Sequence, residues 1–206
     1  MAYKTEQEAF WAGEFGTGYI ERNQGKALLA ANLSFFSKVF KQVGKPDSIL
    51  EFGANIGMNL KALKLLFPEV NLSGIEINKE AADELAKVIS LEDVFNGSIL
   101  EYNAVAKFQI SLIKGVLIHI NPEVLPLVYK KLYDSSSKYI LIAEYYNPSP
   151  VTINYRGTSD RLFKRDFAGE MLETYSDLKL IDYGFCYKRD MVFPQDDITW
   201  FLLEKK

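Results

Sequence analysis

The chain has 206 residues, a formal net charge of −3 and a pI near 5.4, so no global positive field draws it onto DNA, RNA or an acidic membrane surface. Hydrophobic residues make up 48% and charged residues 25%, the balance of a soluble globular protein, and the length suits one domain with a sizeable core. The lone cysteine, Cys186, excludes an internal disulfide and a cysteine-rich metal site, and no metal is expected. The start, Met1-Ala-Tyr-Lys-Thr-Glu-Gln-Glu8, lacks the apolar core of a signal peptide. No run approaches a membrane span, so a reducing cytoplasm is the expected location.

In chain order, residues 26–43 place Leu29, Leu33, Phe36, Val39, Phe40 and Val43 at helical spacing, and Lys45-Pro-Asp47 breaks that helix. A first strand begins at Ser48 and ends in a turn carrying Gly53 and Gly57. A helix follows with Leu60, Leu63, Leu66 and Phe67 on one face, stopped by Pro68. Leu72–Glu76 is a second strand, and Asn78 caps a helix striped by Ala81, Ala82, Leu85, Val88 and Ile89. Val94-Phe95 and Phe108–Ile113 read as the third and fourth strands. Pro122 opens a helix carrying Val124, Leu125, Val128 and Leu132. Tyr139–Glu144 is apolar enough for a strand covered on both faces. Residues 146–166, with prolines, a glycine and many polar groups, read as a long loop of the kind that serves as a lid. Asp166–Tyr175 reads as a short helix, and Leu178–Tyr187 with Asp197–Leu203 as two closing strands.

Strand, glycine turn, helix, strand and acid is how an α/β protein holds an adenosine-containing cofactor. Glycines let the backbone approach the ligand, and the acid, here Glu76, accepts hydrogen bonds from ribose hydroxyls. A dinucleotide fingerprint would need a glycine where Met58 stands. The spacing here is instead G-x-x-x-G with Asn55 at its centre, a residue that tolerates left-handed backbone geometry. Glu51-x-Gly-x-Asn-x-Gly57 resembles motif I of class I S-adenosylmethionine-dependent methyltransferases. Glu76 and the run Gly97-Ser98-Ile99 after the third strand extend that likeness.

Further stretches resemble the methyltransferases associated with pseudaminic acid biosynthesis: Ala9–Gly16, Tyr19–Asn23, Phe52–Leu60, Lys114–Pro122, Glu144–Pro148, Tyr155–Gly157 and Asp160–Gly169. The resemblance implies a single Rossmann-like α/β domain whose seven-stranded, mostly parallel sheet has an antiparallel final strand. It divides the chain into an N-terminal helical cap (1–45), a cofactor-binding core (46–145), a substrate lid (146–176) and a C-terminal strand hairpin (177–206). It implies S-adenosylmethionine as cofactor and S-adenosylhomocysteine as product. Gly53, Asn55 and Gly57 would line the methionine side with Lys114 near its end, Glu76 would hold the ribose, and Ser98 and Ile99 would face the adenine. Many relatives carry an Asp where Ser98 stands. Tyr19 and Arg22 would close over the cofactor, Arg22 being suited to its carboxylate. The implied partner is a small anionic acceptor, a nonulosonic acid sugar or its nucleotide-linked precursor, with no nucleic acid and no membrane.

Among chemistry-bearing side chains, His119 is the only histidine. It is either a general base at the fourth strand's end or a packed residue capping the next helix. Arg156, Arg161, Lys164 and Arg165 are either an anion clamp in the lid or a solvated run of charge, with Tyr146 and Tyr155 as further candidate acceptor contacts. Asp166 would orient the arginines. Trp11, Phe15 and Tyr19 either shelter a cofactor or pack as core. Two rival functions stand beside methyl transfer. One is an NAD-dependent sugar dehydrogenase or epimerase, for which Tyr175-Ser-Asp-Leu-Lys179 is a poor catalytic pair because it runs into a strand. The other is a catalytically silent cofactor-binding partner of a sugar biosynthetic complex.

Overall fold

The computed structural model describes residues 3–155 and 158–206. Three helices come first: α1 (Glu6–Ala12), α2 (Glu14–Ile20) and α3 (Lys26–Val39). Helix α3 stops at Val39, short of residue 43, in a turn where the Gly44 amide bonds back to the Phe40 carbonyl. The alternating core follows as β1 (Ser48–Phe52), α4 (Met58–Leu66), β2 (Asn71–Glu76), α5 (Lys79–Leu85), β3 (Val94–Asn96), β4 (Phe108–Lys114), α6 (Leu125–Ser135) and β5 (Ser136–Glu144). Asn78 caps α5 by accepting from the Ala81 amide at 3.0 Å.

The seven-stranded sheet runs β3-β2-β1-β4-β5-β9-β8, where β8 is Leu178–Phe185 and β9 is Thr199–Lys205. Its first five strands are parallel. The final strand, β9, is antiparallel to both of its neighbours. Successive residues of the central strands go to opposite faces. Leu141 packs with Phe36, Leu60, Leu63 and Trp200 on the α3–α4 side. Ile140 and Ile142 pack with Val128, Leu132 and Met171 on the side of α6 and α7 (Phe167–Thr174). Covering both faces makes the strands apolar throughout, which is why they read as unbroken runs. Trp200 is 1% exposed, and its truncation to Ala removes packing worth about 3–5 kcal/mol.

The stretch 146–166 departs from the expected loop. It carries a second, two-stranded sheet, β6 (Val151–Tyr155) paired antiparallel with β7 (Thr158–Lys164). Its prolines, Pro148 and Pro150, lie before β6. They break the chain without interrupting the β-branched run Val151-Thr152-Ile153. Among the described residues no helix is long and apolar enough to cross a membrane.

Candidate functional site

The order of the sheet reverses between β1 and β4, and a crevice opens there beyond the carboxyl ends of the strands. The turn after β1 shapes its floor. Gly53 and Gly57 have φ of 73° and 77°, and Asn55, at 48°, is the positive-φ non-glycine residue among those described. A Cβ on Gly53 would lie 2.6 Å from a Val116 methyl, so both conformation and space demand glycine there. Glu76, at the end of β2, holds this turn in place. One carboxylate oxygen accepts from the Asn55 amide and the other from the Asn78 amide, both at 2.7 Å. Burial raises its pKa, and these backbone donors oppose the rise.

Two adjoining cavities occupy the crevice. The first contains about 870 Å³ of atom-free space, counted out to its mouth and including open solvent. Glu76, Asn55, Gly53, Ser98 and Ile99 line it, with Glu8, Trp11 and Tyr19 from the N-terminal helices and His119 from the turn after β4. The second cavity is more polar and shares Tyr19, Gly53, Asn55 and Gly115 with the first. Asn23, Asn32, Asn59, Lys114, Gln195 and Asp196 complete much of its wall. The N-terminal helices are tied to this edge by Asn78. Its Nδ2 lies 3.2 Å from Thr17 Oγ1 and 3.3 Å from the Gly13 carbonyl oxygen.

Two buried carboxylates, Glu51 and Glu144, stand near Lys114 of the second cavity's wall. Glu51 is fully buried, and desolvation pushes its pKa up to about 8, against the pull of an Asn59 amide at 2.6 Å and of the Lys114 charge. One of its oxygens has no hydrogen-bond partner. Glu144 is raised to about 7 by burial, although one of its oxygens accepts from the Val116 and Leu117 amides at 2.9 Å. Burial lowers the Lys114 amine, and the Glu51 charge opposes that most strongly.

His119 is buried rather than set at a helix cap; Asn121 does the capping, accepting from the Glu123 amide. Its ring centre lies 4.6 Å from Trp11 and 5.3 Å from Tyr155. His119 Nδ1 is 2.6 Å from the Arg161 carbonyl oxygen. A carbonyl only accepts, so Nδ1 carries the proton and Nε2 is the acceptor nitrogen. Desolvation pushes the imidazole down to about 4, so it is neutral near pH 7.

Of the residues singled out from sequence, Tyr19, Gly53, Asn55, Glu76, Ser98, Ile99, Lys114 and His119 come together on these walls. Others do not line either cavity. Gly57 faces the side chains of Leu85 and Val88, where a Cβ would come within 2.7 Å, so its smallness serves helix packing. Arg22 is exposed with its guanidinium 5.9 Å from the Phe15 ring. Tyr146 is 40% exposed and packs against Phe201. Tyr155 stands behind His119 and Phe15.

Among the described residues, the cations of this segment are each engaged by the protein itself. Arg161 pairs with Glu6 at 3.1 Å, Arg165 pairs with Glu170 at 2.6 Å, and Lys164 sits 5.1 Å from the Tyr145 ring. Asp166, expected to orient the arginines, instead caps α7 by accepting from the Gly169 amide at 2.8 Å. Arg156 lies outside the described residues. Sequence reasoning passed over Glu8, the tie from Asn78 to the N-terminal helices and the amide side chains of the second cavity. The signal for Glu8 was present, because Thr5-Glu-Gln-Glu8 is a capping box.

No protein-family model and no curated protein sequence matches the chain. Solved structures do. The 1,6-didemethyltoxoflavin-N1-methyltransferase of Burkholderia thailandensis, with 1,6-didemethyltoxoflavin and S-adenosylhomocysteine bound, superposes with a TM-score of 0.74 at 15% identity, covering 100% of this chain and 92% of that one. The magnesium protoporphyrin IX methyltransferase of Synechocystis PCC 6803, with S-adenosylhomocysteine bound, gives 0.70 at 12% identity, covering 99% and 100%. A plantazolicin methyltransferase in complex with S-adenosylhomocysteine gives 0.66 at 16% identity, covering 97% and 94%. At such identities the likeness establishes the architecture: this chain has the Rossmann-like fold of class I methyltransferases.

Proposed function

We propose that the chain is an S-adenosylmethionine-dependent methyltransferase acting in a reducing cytoplasm on a small anionic acceptor, a nonulosonic acid sugar or its nucleotide-linked precursor. The observation that carries the cofactor reading is Glu76: a carboxylate at the end of β2 that lines the cleft and pins the glycine turn beside it. The residues present fit such a ligand. Glu76 would hold the ribose, the Gly53–Asn55 backbone with Tyr19 and Lys114 the methionine portion, and Ser98 and Ile99 the base, between apolar walls that include Ile75, Ile77 and Leu100. When bound, the cofactor supplies a methyl group on a sulfonium, an activated electrophile open to in-line displacement by an oxygen or nitrogen nucleophile.

With the leaving group already activated, the chain's task is alignment and exclusion of water, which supplies about 7–11 kcal/mol of barrier reduction. His119, its tautomer fixed by the Arg161 carbonyl, would take the acceptor's proton on Nε2. The acceptor class rests on the resemblance of the amino-terminal and hairpin motifs. In this reading residues 1–45 act as a cap on the 46–145 core, 146–176 as a lid and 177–206 as a closing hairpin. Arg156, Arg161, Lys164 and Arg165, with Tyr146 and Tyr155, would meet the acceptor's charge. One observation favours the silent-partner alternative: Arg161 and Arg165 already hold carboxylates of the protein.

A thermal-shift titration with S-adenosylhomocysteine and NAD in parallel tests the cofactor. At about 100 times its dissociation constant, S-adenosylhomocysteine should add ~2.7 kcal/mol, raising Tm by roughly 5–10 °C. A rise with NAD alone overturns the reading. A labelled-methyl assay over acidic sugars and sugar nucleotides then tests the acceptor, and binding without transfer to any of them supports the silent partner.

A further inference from the structure

From the N-terminal helix, Glu8 reaches the far end of the same cleft, and we infer that it reads the 6-position of the bound base, selecting adenine through its exocyclic amine. This inference rests on the cofactor reading above. The sheet order fixes where each part of the ligand lies. With the methionine portion over the turn after β1 and the ribose over Glu76 at the end of β2, the base must extend over the end of β3, where Gly97, Ser98 and Ile99 line the wall.

Glu8 stands at that end and is only 8% exposed. As the third residue of the capping box it needs one oxygen for its local task. Glu8 Oε2 accepts from the Thr5 amide at 2.8 Å, the Lys4 amide at 2.9 Å and the Thr5 hydroxyl at 3.2 Å. The other oxygen, Oε1, turns away from the helix and accepts from the Ser98 hydroxyl across a gap of 90 residues in sequence. Ser98 Oγ in turn accepts from the Leu100 amide at 3.0 Å, which aims its hydrogen at Glu8. A carboxylate offers about two acceptor sites per oxygen, so Oε1 keeps one for a donor in the cleft. Adenine presents an amine donor at its 6-position. Hypoxanthine presents a carbonyl, which an acceptor-only carboxylate repels. Ser98, where many relatives of the resembled superfamily carry an acid, thus serves here to orient an acid delivered by another element.

Calorimetric titration with S-adenosylhomocysteine and with its deaminated analogue S-inosylhomocysteine tests this. The native chain is expected to prefer the adenosine form by at least about tenfold, because a site built around one donor rejects the analogue lacking it. Glu8→Gln keeps the capping box, since Gln serves that position as Glu does, but its amide can donate to a 6-carbonyl. It should bring the preference within about threefold, mainly by weakening S-adenosylhomocysteine, at unchanged Tm. Ser98→Ala leaves the carboxylate in place and should retain a preference above that of Glu8→Gln. A native preference that persists unchanged in Glu8→Gln overturns the inference and leaves the cofactor reading standing. Failure of the native chain to bind S-adenosylhomocysteine overturns both.

Discussion

The turn after β1 and the β6–β7 hairpin both carry polar groups beside the cleft, and they treat them in opposite ways. At the turn, a left-handed backbone and one carboxylate organise a concave surface, with the Glu76 side chain lining the cavity. At the hairpin, the charges are spent on the protein: Arg161 on Glu6, Arg165 on Glu170, which also accepts from the Tyr129 hydroxyl at 2.7 Å. A run of cations in sequence therefore does not by itself mean free charge at the surface. A left-handed turn restricts which residues can form it, whereas a cation is readily taken up by a neighbouring carboxylate of the protein.

The largest expected contrast comes from Glu76→Ala. It leaves two buried amides without an acceptor, so urea unfolding should show a loss of about 3 kcal/mol and calorimetry no measurable S-adenosylhomocysteine binding. Glu76→Gln, which keeps one acceptor, should lose about half of that stability. Next is acid titration of His119, which bonds to the hairpin backbone and lines the cleft. Its folded pKa is depressed to about 4 from 6.5, so the stability its neutral form contributes is complete above pH 6.5 and is lost as pH falls toward 4. Across that window the native chain should lose about 3 kcal/mol more than His119→Asn, read from unfolding midpoints at each pH. If the two curves run parallel, the ring is not held neutral by its burial against Trp11, Tyr155 and the Arg161 carbonyl.

Gly53→Ala should cost about 2 kcal/mol, part from positive φ and part from the Val116 methyl 2.6 Å away. Adding Val116→Ala should restore only the steric part. A full rescue would mean that the positive φ at this position adds no cost for Ala. At the hairpin, effects on stability should be smallest. Arg165→Ala, at a half-buried pair, should cost about 1 kcal/mol. Arg161→Ala, whose partner Glu6 is largely exposed, should cost at most about 1 kcal/mol. An acceptor KM that rises more than tenfold in Arg161→Ala, at unchanged S-adenosylhomocysteine affinity, would show that the hairpin also serves the acceptor.

The parts of the fold legible in sequence are those set by burial and local rules. Strands covered on both faces appear as apolar runs, the Asn78 cap as an Asn before a helical stripe, and the glycine turn as a spacing. The hairpin escaped because its prolines dominate the composition of a segment whose β-branched residues lie just beyond them. Gly57 matched a ligand motif, yet packing against Leu85 and Val88 is what calls for its size. The contribution of Glu8 escaped for a different reason. A capping box is visible locally, but the tertiary placement that buries it against Ser98 is not.

Asn78 has a consequence for the order in which the molecule assembles. One end of its amide starts α5, while the other holds the Gly13 carbonyl and the Thr17 hydroxyl, more than sixty residues upstream. Helices α1 and α2 therefore lack these partners until the β2–α5 corner has been synthesised and folded.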